Sequence, residues 1–460
     1  MQTAQARAPF FLILLYLTLV FVRPQEFLPA LEGVPILPLT LAITLFSWLL
    51  SKQKSIEPQQ FYAATLLFFF IIVTVALSGW VGGMVPAAAK LLPTYVLFIL
   101  IASTATTPGR QRLLMWIFVG GATMMAAHGI QQKFTGTGWT GEVPILGRIR
   151  YIGIFNDPND VGLLLVCSLP MAFYLFFYYR NAPGKLFIAA AIAIILYGVV
   201  LTNSRGTTLA TALLAGLYLW RHQGVIKTMV FGAALIPVIL MMSTRINTIS
   251  TDEASAHGRI ESWYEGFQML KSNPVFGVGF DRFTDYNPLT AHNSFVLALA
   301  ELGVFGYIIW FSFVLSCVAM MLYLQAPPQP KKNDWDDLVA QYSRESESRP
   351  VLSLKPEECC DTKKTAVAVY DVSPEDRAIA NVLFFSFIGF ATTAFFLSRT
   401  YVVVLFILCA MATSHYLGSR QRTPELPAYG FFSHLGLWVT LSLISIVMLY
   451  LITRVLIQLG

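Results

Sequence analysis

Crossing ~30 Å of hydrocarbon takes about 20 apolar residues in a helix, and without water at that depth the backbone must close its own hydrogen bonds. This chain holds many such runs, near 9–22, 34–50, 61–79, 86–104, 111–130, 160–179, 185–202, 207–221, 226–242, 303–324, 379–396, 400–417 and 431–453. They predict an all-α polytopic membrane protein with about 12–13 transmembrane helices. Composition agrees: 56% of the 460 residues are hydrophobic and 12% are charged, against roughly a quarter charged in soluble proteins. A water-soluble globule, a nucleic-acid binder and a disulfide-built secreted domain all fit poorly.

The first run follows Arg7 and has no small-residue cleavage site before Arg23, so it reads as a retained anchor. Short loops rich in Lys and Arg stay in the cytoplasm. Lys52 and Lys54, Arg110 and Arg112, Arg180 and Lys185, Arg221 and Lys227, and Arg420 and Arg422 occupy alternate connections, which puts the N-terminus inside. The connections 131–159 and 243–302 then fall outside, and 325–378 falls inside. The chain divides into N-terminal helices (1–130), a core with the two outer loops (131–324), the inner loop (325–378) and C-terminal helices (379–460). The inner loop mixes charges of both signs with little apolar periodicity, so it is expected to be flexible or only locally folded, with its Cys359–Cys360 pair reduced. Cys167, Cys317 and Cys409 lie within apolar runs and read as small core residues. No residue spacing suits a metal.

Ionisable groups near bilayer depth cost about 2.5–3.5 kcal/mol each on insertion scales, and here they concentrate in the outer connections. Arg148 and Arg150 precede Asn156-Asp157-Pro158-Asn159-Asp160, Arg205 follows Asn203-Ser204, Arg259 follows His257-Gly258, and His292 precedes Asn293-Ser294. The stretch 186–220 would reach ~52 Å as one helix, so the chain must reverse near Asn203–Gly206. A short second arm would recess Arg205 into a protein-lined cavity; the alternative is a side chain snorkelling to headgroups. Asp157, Pro158 and Asp160 read first as helix punctuation: a cap, a first-turn proline and a carboxylate suited to the dipole. Ser204 starts the next helix in the same sense, and such ends accept phosphate readily. Ile260, Trp263, Tyr264, Phe267 and Leu270 predict an amphipathic helix over 259–270 lying on the membrane surface, ended by Asn273-Pro274. Arg259 sits at its start, where a lone cation opposes the dipole unless it meets an anion. Among several arginines, the protonated form of His292 is disfavoured, leaving a neutral base at pH 7. His257 and, less well placed, His128 are rivals; His222, His415 and His434 lack this company.

The stretches Gly153-Ile-Phe-Asn-Asp-Pro-Asn-Asp-Val-Gly162, Asn203-Ser-Arg-Gly206, Gly258-Arg-Ile-Glu-Ser-Trp263, Asn273-Pro-Val-Phe-Gly-Val-Gly-Phe280 and His292-Asn-Ser-Phe295 resemble the O-antigen ligase and polymerase superfamily of bacterial envelope glycan transferases. Arg23-Pro-Gln-Glu-Phe27 also looks like members of it. The ligase pattern of His, a small polar residue, nine positions and Gly fits His292, Asn293 and Gly303; beyond it, ligases favour hydroxylated residues where this chain has Gly306 and Tyr307.

The resemblance implies a C-type (GT-C) glycosyltransferase architecture with a periplasmic helical loop, in the bacterial inner membrane. It implies metal-independent, cofactor-free transfer of a glycan from undecaprenyl diphosphate to an acceptor hydroxyl at the periplasmic face. Arg205 and Arg259 would bind the diphosphate and His292 would serve the reacting centre, with Arg148, Arg150, Asn156, Asp157, Asn203 and Asn293 completing the substrate-binding set. The acceptor would be lipid A core, another glycan or a hydroxyl of another kind. A polymerase joining lipid-linked repeat units stands beside the ligase; a protein O-oligosaccharyltransferase and a lipid-linked glycan transporter rank lower. Transporters usually show paired broken helices at mid-membrane in two related halves, and here the polar groups sit asymmetrically at one edge.

Overall fold

The computed structural model describes residues 7–52, 54–233, 249–325 and 371–459. The protein is an all-α polytopic membrane protein. Its helices are α1 (Arg7–Val22), α2 (Ile36–Leu50), α3 (Pro58–Leu77), α4 (Met84–Thr104), α5 (Pro108–Thr135), α6 (Pro158–Tyr178), α7 (Ala182–Leu201), α8 (Arg205–Gln223), α9 (Ile249–Ser272), α10 (Ser294–Gln325), α11 (Pro374–Ala394), α12 (Val403–Arg422) and α13 (Leu435–Leu459). Among the described residues, ten helices are long and apolar enough to cross a membrane, and α2 is a shorter apolar one. Helix α8 falls outside the ten: its threonines and the terminal Arg205, Arg221 and His222 dilute it. It runs beyond the expected 207–221 arm at both ends, so its length no longer requires a recessed turn, and Arg205 is exposed at that turn and not recessed as expected. Of the expected 226–242 span, residues 226–233 are helical, and the rest lies outside the described residues. So does most of the inner loop, with Cys359 and Cys360.

Two helices form the middle of the bundle. Helix α6 packs on α5, α7 and α11, and α12 packs on α4, α10 and α11. Their side chains are buried nearly throughout, from Val161 to Leu169 and from Val404 to Ser419. At the periphery, α2 and α13 turn large apolar side chains outward, among them Phe46, Ile43, Val447 and Ile444. In water such a face would drive association; in a bilayer it meets acyl chains. The three intramembrane cysteines are buried, as their apolar surroundings require.

One end of the bundle is pinned by arginines. Arg422 donates to both carboxylate oxygens of Asp376 (2.6 and 3.0 Å), Arg420 pairs with the buried Glu57 at 3.0 Å, and Arg112 pairs with Glu375. His415 belongs to the same knot, its Nε2 lying 2.8 Å from the Asp376 carbonyl. These cations clamp helices together.

The opposite end is shaped by a break in α10. Gly303, at φ 66° and ψ −171°, interrupts that helix in a conformation that is essentially glycine-only. The segment after α9 docks on the break: Val278 N–H donates to Ala300 O (2.9 Å), Gly279 N–H to Glu301 O (3.0 Å) and Val304 N–H to Pro274 O (2.9 Å). Backbone lies on backbone there, and a Cβ on Gly303 would sit 2.5 Å from the Val275 carbonyl carbon. A Gly303→Ala substitution is therefore expected to cost about 1–3 kcal/mol from backbone conformation alone, plus the clash. Thermal unfolding of the detergent-purified protein should show a clear loss of midpoint. Gly120→Ala, whose new methyl would meet nothing within 4 Å, should leave it nearly unmoved.

Candidate active site

Helix polarity brings distant stretches to this second end. Helices α6, α8 and α10 begin there, while α5, α7 and α11 end there. Asp157 is the N-cap of α6: its side chain accepts from Asn159 N–H at 2.7 Å, with Pro158 in the first turn. Ser204 caps α8, accepting from Thr207 N–H at 3.3 Å, and Arg205 is the first helical residue. Asn203, exposed at φ 46°, makes the reversal between α7 and α8. Asn293 caps α10, its Oδ1 accepting from Phe295 and Val296 N–H at 2.9 and 3.1 Å. Each cap leaves the positive helix end facing the same region.

The 142–159 connection is fastened beneath these ends. Arg148 donates to Thr202 O (2.9 Å) and Asn159 Oδ1 (2.8 Å). Arg150 donates to Val143 O and Asn156 Oδ1, both at 2.8 Å, and pairs with Glu142 at 2.5 Å. Both guanidiniums, and Asn156, thus reach protein partners and hold the loop in shape. His128 is part of that scaffold too: buried, 2.8 Å from Thr140 Oγ1 and edge-on to Trp139 and Tyr151. It has no access to a substrate. The side chain of His257 lies outside the described residues.

His292 stands in the left-handed region at φ 50°, a conformation that a non-glycine residue keeps only when its surroundings impose it. The source is the short loop between α11 and α12. Ser398 Oγ accepts from His292 N–H (2.7 Å) and Thr290 Oγ1 (2.8 Å). Ser294 Oγ donates to Leu397 O (2.6 Å) and accepts from Arg399 N–H (2.8 Å), and Thr400 Oγ1 donates to Ser294 O (2.6 Å). Two loops more than a hundred residues apart are laced together, and the lacing delivers Arg399, whose guanidinium pairs with the Asp160 carboxylate through two nitrogens. Arg399 passed unremarked in the sequence because it is a single cation between two apolar runs. Its place in an outer turn, flanked by Ser398 and Thr400, was the available signal.

Charges here feel one another. Burial, then the Arg205 charge, press the ionisation of Arg259 down, with Asp157 opposing; arginine starts so high that it stays cationic. His292 is held below the ordinary imidazole range first by burial and then by Arg259, with Asp157 opposing and Arg399 adding to the push. Burial works against the charge of Arg399 as well, but the hydrogen-bonded Asp160 outweighs it and raises that group. Among the described residues no hydrogen bond engages either ring nitrogen of His292. A neutral imidazole therefore stands near Arg259 and Arg399, with Asp157 and Asp160 as the nearby carboxylates.

Helix α9, which carries Arg259, begins at Ile249, so Arg259 lies within the helix and not at its expected start; one face of α9 packs on the bundle. Ser262, Trp263, Gly266 and Met269 are buried against α10 and α13, with Trp263 edge-on to Phe395 at 5.3 Å and Phe267 to Tyr450 at 5.5 Å. Gly266 permits the approach, since a Cβ there would lie 2.5 Å from Val296 Cγ1. Of the aromatics on this helix, Trp263 and Phe267 make core contacts that fix Arg259 relative to His292, while Tyr264 stays exposed.

Residues 188–311 match the family described as O-Antigen ligase. That match, over about a quarter of the chain, supports the resemblance to the O-antigen ligase and polymerase superfamily. A comparison with curated proteins gave no match. The ligase-family segment holds Asn203, Arg205, Arg259, His292, Asn293 and Gly303, while Asp157, Asp160 and Arg399 lie outside it. The site is thus completed from both sides of the segment.

Two expectations follow. Arg399→Ala strands the Asp160 carboxylate, whose side chain is 5% exposed, while Arg399 itself is 38% exposed. Loss should sit at or below the low end of the ~3–5 kcal/mol typical when a buried pair is broken, because water screens the exposed head; Arg399→Lys should recover part of it in thermal unfolding. The pH sign for His292 is also set. A depressed imidazole stays neutral as pH falls past ~6.5, so base-dependent turnover should persist below that pH and fall only in more acid buffer.

Proposed function

We propose that the protein is a metal-independent, inverting glycosyltransferase that moves a glycan from undecaprenyl diphosphate to an acceptor hydroxyl at the periplasmic face of the bacterial inner membrane, as an O-antigen ligase does. The observation that carries this reading is the convergence at one bundle end of Arg205, whose charge acts on Arg259, with Arg259, whose charge acts on His292. The basic clamp at the other end supports the orientation, because cation-rich short loops stay cytoplasmic.

The chemistry follows from charge. As the acceptor oxygen attacks the anomeric carbon, the bond from that carbon to the diphosphate oxygen breaks, and its electron pair leaves with the diphosphate. Arg205, at the N-terminus of α8, and Arg259, from within α9, meet that growing charge. Preorganised donors in a site of low dielectric are strongest there, and guanidinium matches phosphate geometry. His292 takes the proton from the acceptor hydroxyl, a step worth about 10²–10⁴-fold. Attack from the face opposite the leaving diphosphate inverts the anomeric centre. Asp157 and Asp160 keep the cation set from excessive self-repulsion, and Arg399 braces the His292 loop. The polyprenyl tail would lie against apolar spans, where a cavity opening sideways to the bilayer suits a lipid-tethered donor.

A polymerase is the second reading, and the positions that raised it are informative. Gly306 is pressed on Phe70, and Tyr307 bonds Ser445 Oγ at 2.7 Å and stacks on Phe311. Their departure from the ligase pattern therefore falls in helix packing and does not count against the ligase.

Three variants test the reading. His292→Ala should abolish transfer and keep donor binding; full glycan transfer by that variant would end the base assignment. Arg205→Ala and Arg259→Ala should each weaken binding of undecaprenyl diphosphate by tenfold or more, and unchanged binding in both would refute their role. A glycan gel from a deletion strain separates the two enzymes. Acceptor free of polymer with long chains on the carrier lipid means a ligase; single repeat units on the acceptor mean a polymerase.

A further inference from the structure

A hollow of about 500 Å³ opens on the same end of the bundle, between the turn after α1 and the loop before α6. Its volume falls within the roughly 300–1,000 Å³ of small-molecule sites. One wall is Gln25, Leu28 and Glu32; the other is Glu142, Ile152 and Asn156. We infer that this hollow is a saccharide subsite, holding sugar rings of the glycan while the diphosphate lies on the neighbouring cations; the inference rests on the transferase reading above.

The lining carries the case. Two of its carboxylates are held by arginine: Glu26 by Arg23 and Glu142 by Arg150. Such carboxylates keep oxygens to accept from hydroxyls, while arginine balances their charge. Gln25 lines the hollow with an amide oxygen that is shielded from solvent and has no hydrogen-bond partner among the described residues. An orphaned acceptor of that kind is disfavoured, and a sugar hydroxyl would relieve it once the side chain turns toward the hollow. Asn156 adds an amide, and Leu28 and Ile152 add apolar surface for the C–H faces of a pyranose. With Glu26 and Glu142 balanced by arginine, Glu32 leaves the lining net negative, which disfavours a pyrophosphate there and so sorts the two halves of a lipid-linked donor: anion to the cations near His292, polyol to the carboxylates and amides.

Placement supports the same occupant. Asn156 lines the hollow, while the next residue, Asp157, acts electrostatically on both Arg259 and His292. One backbone step therefore links the hollow to the proposed reacting centre. Gly153, also in the wall, has φ 60°, and a Cβ there would lie 2.2 Å from the Arg23 guanidinium carbon. The two walls are in direct contact at that point, which fixes the width of the hollow.

The test uses the full-length protein in nanodiscs and two probes. One is undecaprenyl diphosphate without sugar; the other is the cell's own lipid-linked glycan, released from its carrier by mild acid and followed by saturation-transfer difference NMR. Wild type should bind both. Glu32→Gln and, separately, Leu28→Trp, which fills the hollow, should lower the glycan signal at least fivefold and leave lipid binding intact, which also reports that each variant is folded. Arg205→Ala should do the reverse. Equal glycan signals in wild type and both variants would overturn the subsite, as would a wild type that binds the lipid and gives no glycan signal. Failure of the wild type to bind undecaprenyl diphosphate would instead strike the transferase reading, and the glycan signals would still decide the hollow.

Discussion

An apolar bundle can hold a cationic site only if its helices are prevented from repelling one another, and the Asp160–Arg399 pair does much of that work. It joins the first turn of α6 to the loop between α11 and α12, at an end where Arg205 and Arg259 also gather. The carboxylate is nearly buried and the guanidinium is not, so the pair sits at the rim, where desolvation costs least. Remove it and the loop bearing Ser398 loses its anchor on α6. With that loop would go the hydrogen bond that holds His292 in a left-handed conformation.

Much of this end was legible from residue types at their positions. Asp157 before Pro158, and Ser204 before Arg205, are local signals, and both proved to be caps because capping needs only the next three residues. The reversal at Asn203 followed from length, since no single helix could span 186–220. What escaped was long-range. Nothing near Arg399 announces that Ser294, some hundred residues earlier, will accept its backbone N–H. The packing partners of 259–270 were hidden for a related reason: an amphipathic stripe has the same period whether it meets headgroups or other helices. Gly266, small enough to let α9 close on Val296, marks the packed face, and its effect appears only when the partner is known.

The histidines show how surroundings assign roles that residue type leaves open. His415 is tied to a carbonyl in the arginine knot at the opposite end, and His128 is boxed between two aromatic rings and a threonine hydroxyl. Both rings are engaged and enclosed. His292 differs in every respect: its backbone is what the protein grips, through Ser398, while its ring is left to face cations. A scaffold that constrains the main chain and spares the imidazole is what a general base requires, because the proton-accepting nitrogen must be free and its position must not drift.

The break at Gly303 connects this chemistry to the family pattern. A helix from Ser294 running straight would carry its first turns along the axis of the lower part, and the 274–279 segment would have no backbone groups to pair with. By departing from helical geometry at a residue without Cβ, α10 exposes carbonyls at Ala300 and Glu301 to Val278 and Gly279. The docked segment joins α9 to the loop bearing His292, so the spacing from His292 to Gly303 sets the reach between Arg259 and the imidazole. An insertion or deletion within that interval would shift the break by about 100° around the helix per residue and unseat the segment. The fixed separation of the histidine and the glycine is in this sense a geometric requirement of placing a cation and a base on two different elements.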